Sequence, residues 1–281
     1  MTAQPPPDGP AAETAGAAAA AEGAVLRVEH ITKRFGAVTA LVDVNMTLKK
    51  GEVLALLGDN GAGKSVLIKT ISGIHPPDSG EIFWEGRPVH IRAPKDSTAL
   101  GINTVYQDLA LCDNLDIVQN MFLGRERRQL GLLSEDDMEK AAASTLSSLS
   151  VTTVRSIRQP VASLSGGQRQ SVAVARAVMW NSKLVIMDEP TAALGVAQTK
   201  MVVELIERLA SRGLAVIVIS HNLNDVFEVA DRIAVLYLGR MVASGPASEF
   251  NRQIVVDLMT TGASSRSVQV ATSAGAGGSE G

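Results

Sequence analysis

Residues 58–65 constrain the fold of this chain more than any other segment. They read Gly-Asp-Asn-Gly-Ala-Gly-Lys-Ser, which is the spacing of a phosphate-binding loop. The apolar run Val53–Leu57 before them is typical of a buried strand, and the apolar residues 66–71 after them are compatible with a helix. The sequence therefore predicts a strand, a phosphate loop and a helix in direct succession.

The residue types of this phosphate loop indicate what it binds. Glycines let backbone N–H groups turn toward a polyphosphate, and the N-terminus of the following helix adds partial positive charge. Lys64 is expected to reach the β- and γ-phosphates, and the Ser65 hydroxyl to ligate Mg²⁺. The alternative is a Gly-rich turn that merely precedes a helix. The expected nucleotide contacts are Gly58, Asp59, Asn60, Gly61, Ala62, Gly63, Lys64, Ser65 and Val66.

A second apolar run, residues 184–187, ends in two acids. Asp188 follows the predicted strand directly, Glu189 comes next, and Pro190 stops the strand. Asp188 is suited to hold Mg²⁺, and a neighbouring carboxylate such as Glu189 can polarise an attacking water as general base. The alternative is a strand end capped by solvated acids.

Between these two motifs lies the sequence Leu-Ser-Gly-Gly-Gln at residues 164–168, which we call the serine loop. Ser165 is a plausible N-cap for a predicted helix over residues 168–180. Two glycines before a helix leave N–H donors exposed, which makes a second anion site in a chain that already has one. The alternative is an ordinary helix cap.

With the three motifs in this order, residues 25–262 resemble the ATP-binding cassette (ABC) ATPases. The resemblance implies that Phe35 stacks on adenine, that Gln107 senses Mg²⁺ and the transporter interface, and that His221 contacts the γ-phosphate. It also implies that ATP and Mg²⁺ are bound. The catalytic residues implied are Glu189, His221 and Lys64, and the metal ligands implied are Ser65, Gln107 and Asp188.

The resemblance further implies a site shared between two chains. In this family the serine loop completes the nucleotide site of a partner subunit, so a homodimer is expected, with Ser165, Gly166, Gly167 and Gln168 facing the partner's nucleotide. One position departs from the family pattern, because Gly195 stands where an aspartate usually helps to couple the two sites. Hydrolysis is still expected.

Finer matches resemble the ATPases of ribose, xylose and fructose importers. They are the Ala-Ala-Leu-Gly sequence at residues 192–195, the sequence at 106–111, and the sequence at 120–126. This resemblance implies transmembrane permease subunits and a solute-binding protein as partners, and a peripheral location at the cytoplasmic face of the cell membrane. Residues 116–126 are the expected docking surface for the permease, although lobe core is an alternative for this segment.

Composition excludes several other classes. A net charge of −3 gives no broad nucleic-acid footprint, so no nucleic-acid partner is expected. A single cysteine, Cys112, excludes an internal disulfide framework and a Cys-rich zinc site. No segment approaches the roughly 18 uncharged apolar residues that a membrane-spanning helix requires. Residues 1–24 and 263–281 are rich in Ala, Pro, Ser and Gly and are expected to be disordered tails.

The pattern of apolar runs predicts an α/β fold, a P-loop NTPase core with a largely parallel sheet. The resemblance adds an antiparallel β edge region and a helical subdomain over residues 108–180, within one ATPase domain at 25–262. The strands are predicted at residues 25–29, Val53–Leu57, Ile102–Val105, 184–187, Ala215–Ile219 and 233–238.

Three alternatives to a sugar importer remain at this stage. A DNA-repair ABC ATPase would need a long insertion between Lys64 and Ser165, and the short segment there has no sustained heptads and no Cys pairs. A non-catalytic regulatory cassette is favoured only by Gly195. An exporter, or an importer for another cargo such as an amino acid, would use the same ATPase machinery.

Overall fold

The computed structural model describes residues 23–129, 131–151 and 154–263. The predicted tails lie outside these residues, apart from residues 23, 24 and 263. Twelve strands are present in the described part: β1 Ala24–Phe35, β2 Val38–Lys49, β3 Val53–Leu57, β4 Ser79–Trp84, β5 Arg87–Val89, β6 Ile102–Val105, β7 Arg128–Gln129, β8 Leu132–Leu133, β9 Leu184–Asp188, β10 Ala215–Ile219, β11 Arg232–Tyr237 and β12 Arg240–Pro246.

Eight α-helices connect these strands within the described part of the chain. They are α1 Lys64–Ile71, α2 Pro94–Leu100, α3 Ile117–Phe122, α4 Glu135–Ser148, α5 Gly166–Val178, α6 Val196–Ser211, α7 Leu223–Val229 and α8 Arg252–Thr261. No helix in residues 23–129, 131–151 and 154–263 combines the length and the apolar character needed to cross a membrane.

The central sheet has six strands in the order β12-β11-β3-β10-β9-β6. The five strands from β11 to β6 run parallel, and β12 adds to β11 in the antiparallel direction. The predicted α/β fold with a largely parallel sheet is thereby confirmed. Every residue of β3 and β10 is buried, as expected for parallel strands that are covered on both faces.

A second, antiparallel sheet has the order β2-β1-β4-β5 and covers one face of the central sheet. The strand expected at residues 25–29 extends to Phe35, with register shifts against β2 that bend it. Leu26 and Leu41 from this sheet pack with Leu54 and Leu56 of β3. The alternate β3 residues Ala55 and Leu57 face the other side and pack against α7 and α8.

Helices α3, α4 and α5 lie between β6 and β9 in the chain and pack into one apolar cluster with α6 and the sheet. This segment also contains a short hairpin of β7 and β8, which the sequence pattern does not predict. Within the segment 116–126, helix α3 contributes to this core, because five of its six residues are buried and only Gln119 is exposed. Residues 123–126, which follow the helix, are exposed.

Asn120 is the polar exception inside this core. Its side chain is fully buried, and its Oδ1 accepts from the N–H of Cys112 at 2.7 Å. Its Nδ2 donates to the carbonyl oxygens of Cys112, Leu115 and Asp116 at 3.0–3.2 Å. Because each of its polar atoms is bonded, Asn120 fixes the turn that enters α3 without an unsatisfied group.

Candidate functional site

The phosphate loop, residues 58–65, joins β3 to α1 as predicted. Gly58 has φ 151°, and a Cβ there would lie 2.4 Å from the Leu236 carbonyl oxygen, so this position requires glycine. The Gly239 N–H donates to the Ala62 carbonyl at 2.9 Å and holds the loop against the turn after β11. The loop is therefore shaped by its own glycines and by that neighbouring turn.

A cavity of about 450 Å³ opens on the phosphate loop. Besides residues 60–66, its lining consists of Val38, Thr39, Ala40, Leu238 and Gly239. Val38 and Leu238 are 65% and 69% exposed, so they form an apolar border beside a polar loop. Sequence reasoning missed this border and assigned Leu238 to a strand, whereas it lies in a turn with φ 44°. Nothing in the local pattern marks these residues.

Lys64 lies over its own loop. Its Nζ donates to the carbonyl oxygens of Gly58 at 2.7 Å and Asp59 at 3.1 Å. Burial lowers the pKa of Lys64, and attraction to Glu189, Asp188 and Asp59 opposes that shift. The ammonium therefore lies within electrostatic reach of both acids predicted from the sequence.

Asp188 is the last residue of β9. Burial, followed by repulsion from Glu189, raises the pKa of Asp188, whereas attraction to Lys64 and Lys69 acts in the opposite direction. Its carboxylate accepts no hydrogen bond from the described residues, and the exposed Ser65 hydroxyl likewise has no partner among them.

The donor set around Asp188 and Ser65 fits Mg²⁺. This ion prefers oxygen ligands and is usually held by one or two carboxylates together with substrate phosphates and water. A carboxylate and a hydroxyl match that preference. The described residues contain no cluster of three or more His, Cys, Asp and Glu side chains that could hold a metal without such extra ligands.

Glu189 and His221 are in direct side-chain contact at the ends of adjacent strands. His221 Nδ1 lies 2.7 Å from Glu189 Oε2, and the Glu189 side chain is only 18% exposed against 73% for His221. The Glu189 N–H donates to the Ile219 carbonyl at 2.9 Å, which extends the ladder between β9 and β10 by one residue. Glu189 itself has φ 51°, a left-handed conformation that costs about 1 kcal/mol or more in a non-Gly residue.

The order of the central strands explains why these residues meet. From β3 through β10 and β9 to β6, the carboxyl ends carry Lys64, His221, the acidic pair and Gln107 in turn. Adjacent strands lie roughly 4.8 Å apart, so the four positions occupy one narrow edge. Gln107 is exposed at the β6 end of this edge.

Phe35 pairs with Val38, which lines the cavity on the phosphate loop. It ends β1 in the second sheet, is 43% exposed, and meets the His75 ring edge-to-face at 5.1 Å. Lys33 Nζ lies 5.5 Å from the centre of the Phe35 ring. An exposed aromatic held in this way is suited to stacking, although Phe35 is not among the residues that line the cavity.

The serine loop also lies outside the cavity lining. The prediction that Ser165 is an N-cap is confirmed: its side chain accepts from the Gln168 N–H, and the Gln168 side chain accepts from the Ser165 N–H at 2.9 Å. The helix begins at Gly166, two residues earlier than predicted. A Cβ at Gly166 would lie 2.7 Å from the Leu194 side chain, so the glycines also allow close packing against the segment before α6.

Gly195 is the N-cap of α6 and has no side chain to cap it. Its φ of −73° is accessible to any residue, and an added Cβ would meet nothing within 4 Å. The backbone therefore does not require glycine here, and an aspartate would fit as a helix cap.

A phosphate loop between a buried strand and a helix, facing acids at a parallel strand end, defines a P-loop nucleotide hydrolase. The family profile described as "ABC transporter" matches residues 41–192, more than half of the chain. The chain therefore belongs to the ABC transporter family and is an ATP hydrolase of that family.

Known relatives agree with this assignment. The chain is 49% identical to the fructose import ATP-binding protein FrcA of Rhizobium meliloti over 84% of its length and 94% of that protein. It is 47% identical to the xylose/arabinose import ATP-binding protein XylG of Sulfolobus acidocaldarius, with the same coverage of each. It is 40% identical to a ribose import ATP-binding protein of Escherichia coli O157:H7 but spans only 46% of that chain.

Solved structures show the same fold. The ADP conformation of an ATP-binding cassette of an ABC transporter superposes with a TM-score of 0.73 at 26% identity, covering 89% of this chain and 98% of the other. A dimeric post-hydrolysis cassette bound to ADP and phosphate superposes with a TM-score of 0.66 at 26% identity, covering 79% and 98%.

The raised pKa of Asp188 yields a prediction about stability. Because the folded pKa lies above the unfolded one, the ionised carboxylate destabilises the fold at neutral pH, and this effect disappears as the pH falls through the folded pKa. Asp188→Asn is expected to raise the melting temperature of the nucleotide-free protein at pH 7, by a margin that shrinks toward acidic pH. Thermal unfolding across pH measures this, with the exposed Glu207→Gln as a control that should show no gain.

Proposed function

We propose that this protein is the ATP-binding and ATP-hydrolysing subunit of a membrane importer for a monosaccharide. The hydrolytic part rests on one observation above all: the Glu189–His221 pair lies at the same sheet edge as Lys64 and Asp188. The sugar part is supported by the fructose, xylose/arabinose and ribose import proteins that the chain resembles.

In the proposed mechanism the phosphate loop binds the polyphosphate of ATP through backbone N–H groups and Lys64. Glu189 accepts a proton from the attacking water, and His221 orients that water and the γ-phosphate. A carboxylate that is mostly shielded from solvent and already paired with His221 is suited to this role. Lys64 stabilises the charge that develops on the transferred group.

Mg²⁺ would be held by Ser65 and Asp188, with Gln107 approaching from the neighbouring strand end. When bound, it would neutralise phosphate charge and help to align the leaving group. The residues proposed to hold nucleotide are Phe35 on the base side, the phosphate loop with Val66, and the serine loop of a partner chain.

Two copies are proposed to close around two ATP molecules. The serine loop presents helix N–H groups but does not line the cavity of its own chain, so a partner's nucleotide is its natural ligand. A dimeric ATP-binding cassette among the similar structures supports this arrangement. Closure and reopening of the dimer would drive the permease between its inward-facing and outward-facing states.

The permease is proposed to dock near the exposed residues 123–126. A groove of about 240 Å³ there is lined by Tyr106, Leu123, Arg125 and Trp180, with the Arg125 guanidinium 5.1 Å from the Trp180 ring. Aromatic and arginine side chains are enriched in protein interfaces. This docking would place the protein peripherally at the cytoplasmic face of the membrane, beside a permease that receives sugar from a solute-binding protein.

The main alternative is the same ATPase in a transporter for another cargo. Cargo contacts would lie in the permease and the solute-binding protein. The site geometry therefore supports both versions equally, and only the relatives favour sugar.

Glu189→Gln is expected to retain ATP binding while nearly abolishing turnover, because the amide keeps the shape of the side chain but cannot accept the proton. Nucleotide affinity and steady-state phosphate release measure the two effects separately. Full turnover by this variant would exclude Glu189 as the general base. Glu228→Gln, an exposed glutamate on α7, serves as the matched control.

Complementation between two inactive variants tests the shared site. Lys64→Ala disables the phosphate loop of its own chain, and Ser165→Arg disables the loop offered to the partner. Each alone is expected to be inactive, whereas an equimolar mixture should recover about a quarter of the wild-type rate, because half of randomly formed dimers contain one intact site. No recovery in a mixture of folded proteins would argue against a shared site.

Reconstitution tests the cargo. The membrane and solute-binding proteins that co-purify with this chain would be assembled with it in vesicles, and ATPase rates measured with a panel of sugars and amino acids. A monosaccharide should stimulate the rate in the presence of its binding protein. Stimulation only by an amino acid would reject the sugar assignment and leave the ATPase assignment intact.

A further inference from the structure

In the Glu189–His221 pair, the position of the histidine side chain is weakly restrained. The His221 side chain is 73% exposed, so few neighbours restrict it. A contact with one exposed member holds its geometry weakly, because solvent screens it and ordering the exposed side chain costs rotamer freedom. A second connection between the two strand ends would remedy this weakness.

Such a connection exists between Thr191 and Asp225. The Thr191 hydroxyl donates to Asp225 Oδ2 at 2.7 Å, and both residues are half-buried. A hydroxyl bonded to a carboxylate is a charge-assisted bond, which is stronger than a neutral one. Within the described residues, this bond and the Glu189–His221 pair are the side-chain links between the segment after β9 and the segment after β10.

The backbone directs Thr191 toward this bond. Glu189 and Ala193 both have positive φ, 51° and 58°, so the chain reverses direction immediately after the acidic pair. The Ala192 N–H donates to the Glu189 carbonyl at 3.1 Å and closes a turn over residues 189–192. Thr191 lies inside this turn, two residues from Glu189, so the same backbone turn positions both side chains.

The backbone on the other side fixes His221 to Asp225. Ser220 is buried, and its Oγ accepts from the Asn222 N–H at 3.0 Å. Asn222 is the N-cap of α7, and its side chain accepts from the Asn224 N–H. His221 is therefore held between a buried residue and a capped helix, and Asp225 lies in the first turn of that helix.

We infer that Thr191 and Asp225 are positioning residues that set the distance between His221 and Glu189 for ATP hydrolysis. They touch neither the cavity nor the reacting groups, and they act by clamping together the two segments that carry the pair. The more ordinary role for Asp225, an acid that stabilises the N-terminus of α7, does not account for its bond to Thr191.

The turn that carries Thr191 also contacts the serine loop. Leu194 follows this turn, and its N–H donates to the Thr191 carbonyl at 3.3 Å. Its side chain packs so closely on Gly166 that a Cβ there would lie 2.7 Å away. Thr191 therefore connects the chain's own hydrolytic pair with the loop proposed to serve a partner, which is a route independent of the side chain missing at Gly195.

The test compares Thr191→Val, which removes the hydroxyl but keeps the shape, with Asp225→Ala, which removes the acceptor. Each is expected to lower kcat for ATP hydrolysis about ten- to a hundredfold, the scale of small misplacements of catalytic groups, with KM for ATP unchanged. The double variant should lose no more than either single one. Thr191→Ser, which keeps the hydroxyl, should restore the rate, and Asn224→Ala on the same turn is the matched control.

A cycle with His221→Ala separates positioning from general structural damage. If Thr191 acts through the histidine, Thr191→Val should have no further effect on the residual single-turnover rate of His221→Ala. An equal loss in both backgrounds, or an unchanged kcat in Thr191→Val, would overturn the inference. Should one variant fail to fold by thermal unfolding, the other reports on the same bond.

This inference rests on the proposed roles of Glu189 and His221, and its failure is distinguishable from theirs. If Glu189→Gln keeps full turnover, the proposed hydrolytic mechanism fails whatever Thr191 does. If Glu189→Gln is inactive and Thr191→Val is fully active, only the positioning role of Thr191 and Asp225 is rejected.

Discussion

The parallel pairing of β3, β10 and β9 is the constraint on which the rest of this structure depends. Parallel strands deliver their carboxyl ends to one edge, so the phosphate loop, His221 and the acidic pair meet there although they are far apart in the chain. This pairing in turn requires apolar cover on both faces, and the alternate residues of β3 pack against different layers on the two sides. Core packing and the geometry of the candidate site therefore have the same origin.

The site carries unfavourable features that its proposed function explains. Lys64 and Asp188 are partly buried. Burial lowers the pKa of Lys64 and raises the pKa of Asp188, which favours the neutral form of each side chain. Glu189 adopts a left-handed backbone conformation. Each feature costs stability in the nucleotide-free protein, and each places charge where a nucleotide and its metal ion would bind. Apolar burial throughout β3 and β10 contributes stabilisation that offsets these costs.

Two segments link this edge to surfaces farther away. The turn after Glu189 contacts α7 through Thr191 and the serine loop through Leu194, so it connects the Glu189–His221 pair with the serine loop. On the other side, the Arg176 guanidinium donates to the carbonyl oxygens of Leu109 and Ala110 at 2.8 and 2.7 Å, which ties the segment after Gln107 to α5. The proposed permease groove and the serine loop are thus attached to the same helix.

The sequence by itself determined the phosphate loop, the acidic pair, the Ser165 cap and the five parallel strands. These features depend on local residue order, on glycine conformation and on short apolar runs that fit only a covered sheet. Only the tertiary structure decided that residues 116–122 turn mostly into the core, that Val38 and Leu238 border the cavity, and that Thr191 meets Asp225. Those contacts join residues that are distant in the chain. The local sequence around an apolar or polar side chain does not indicate which distant residue it will contact.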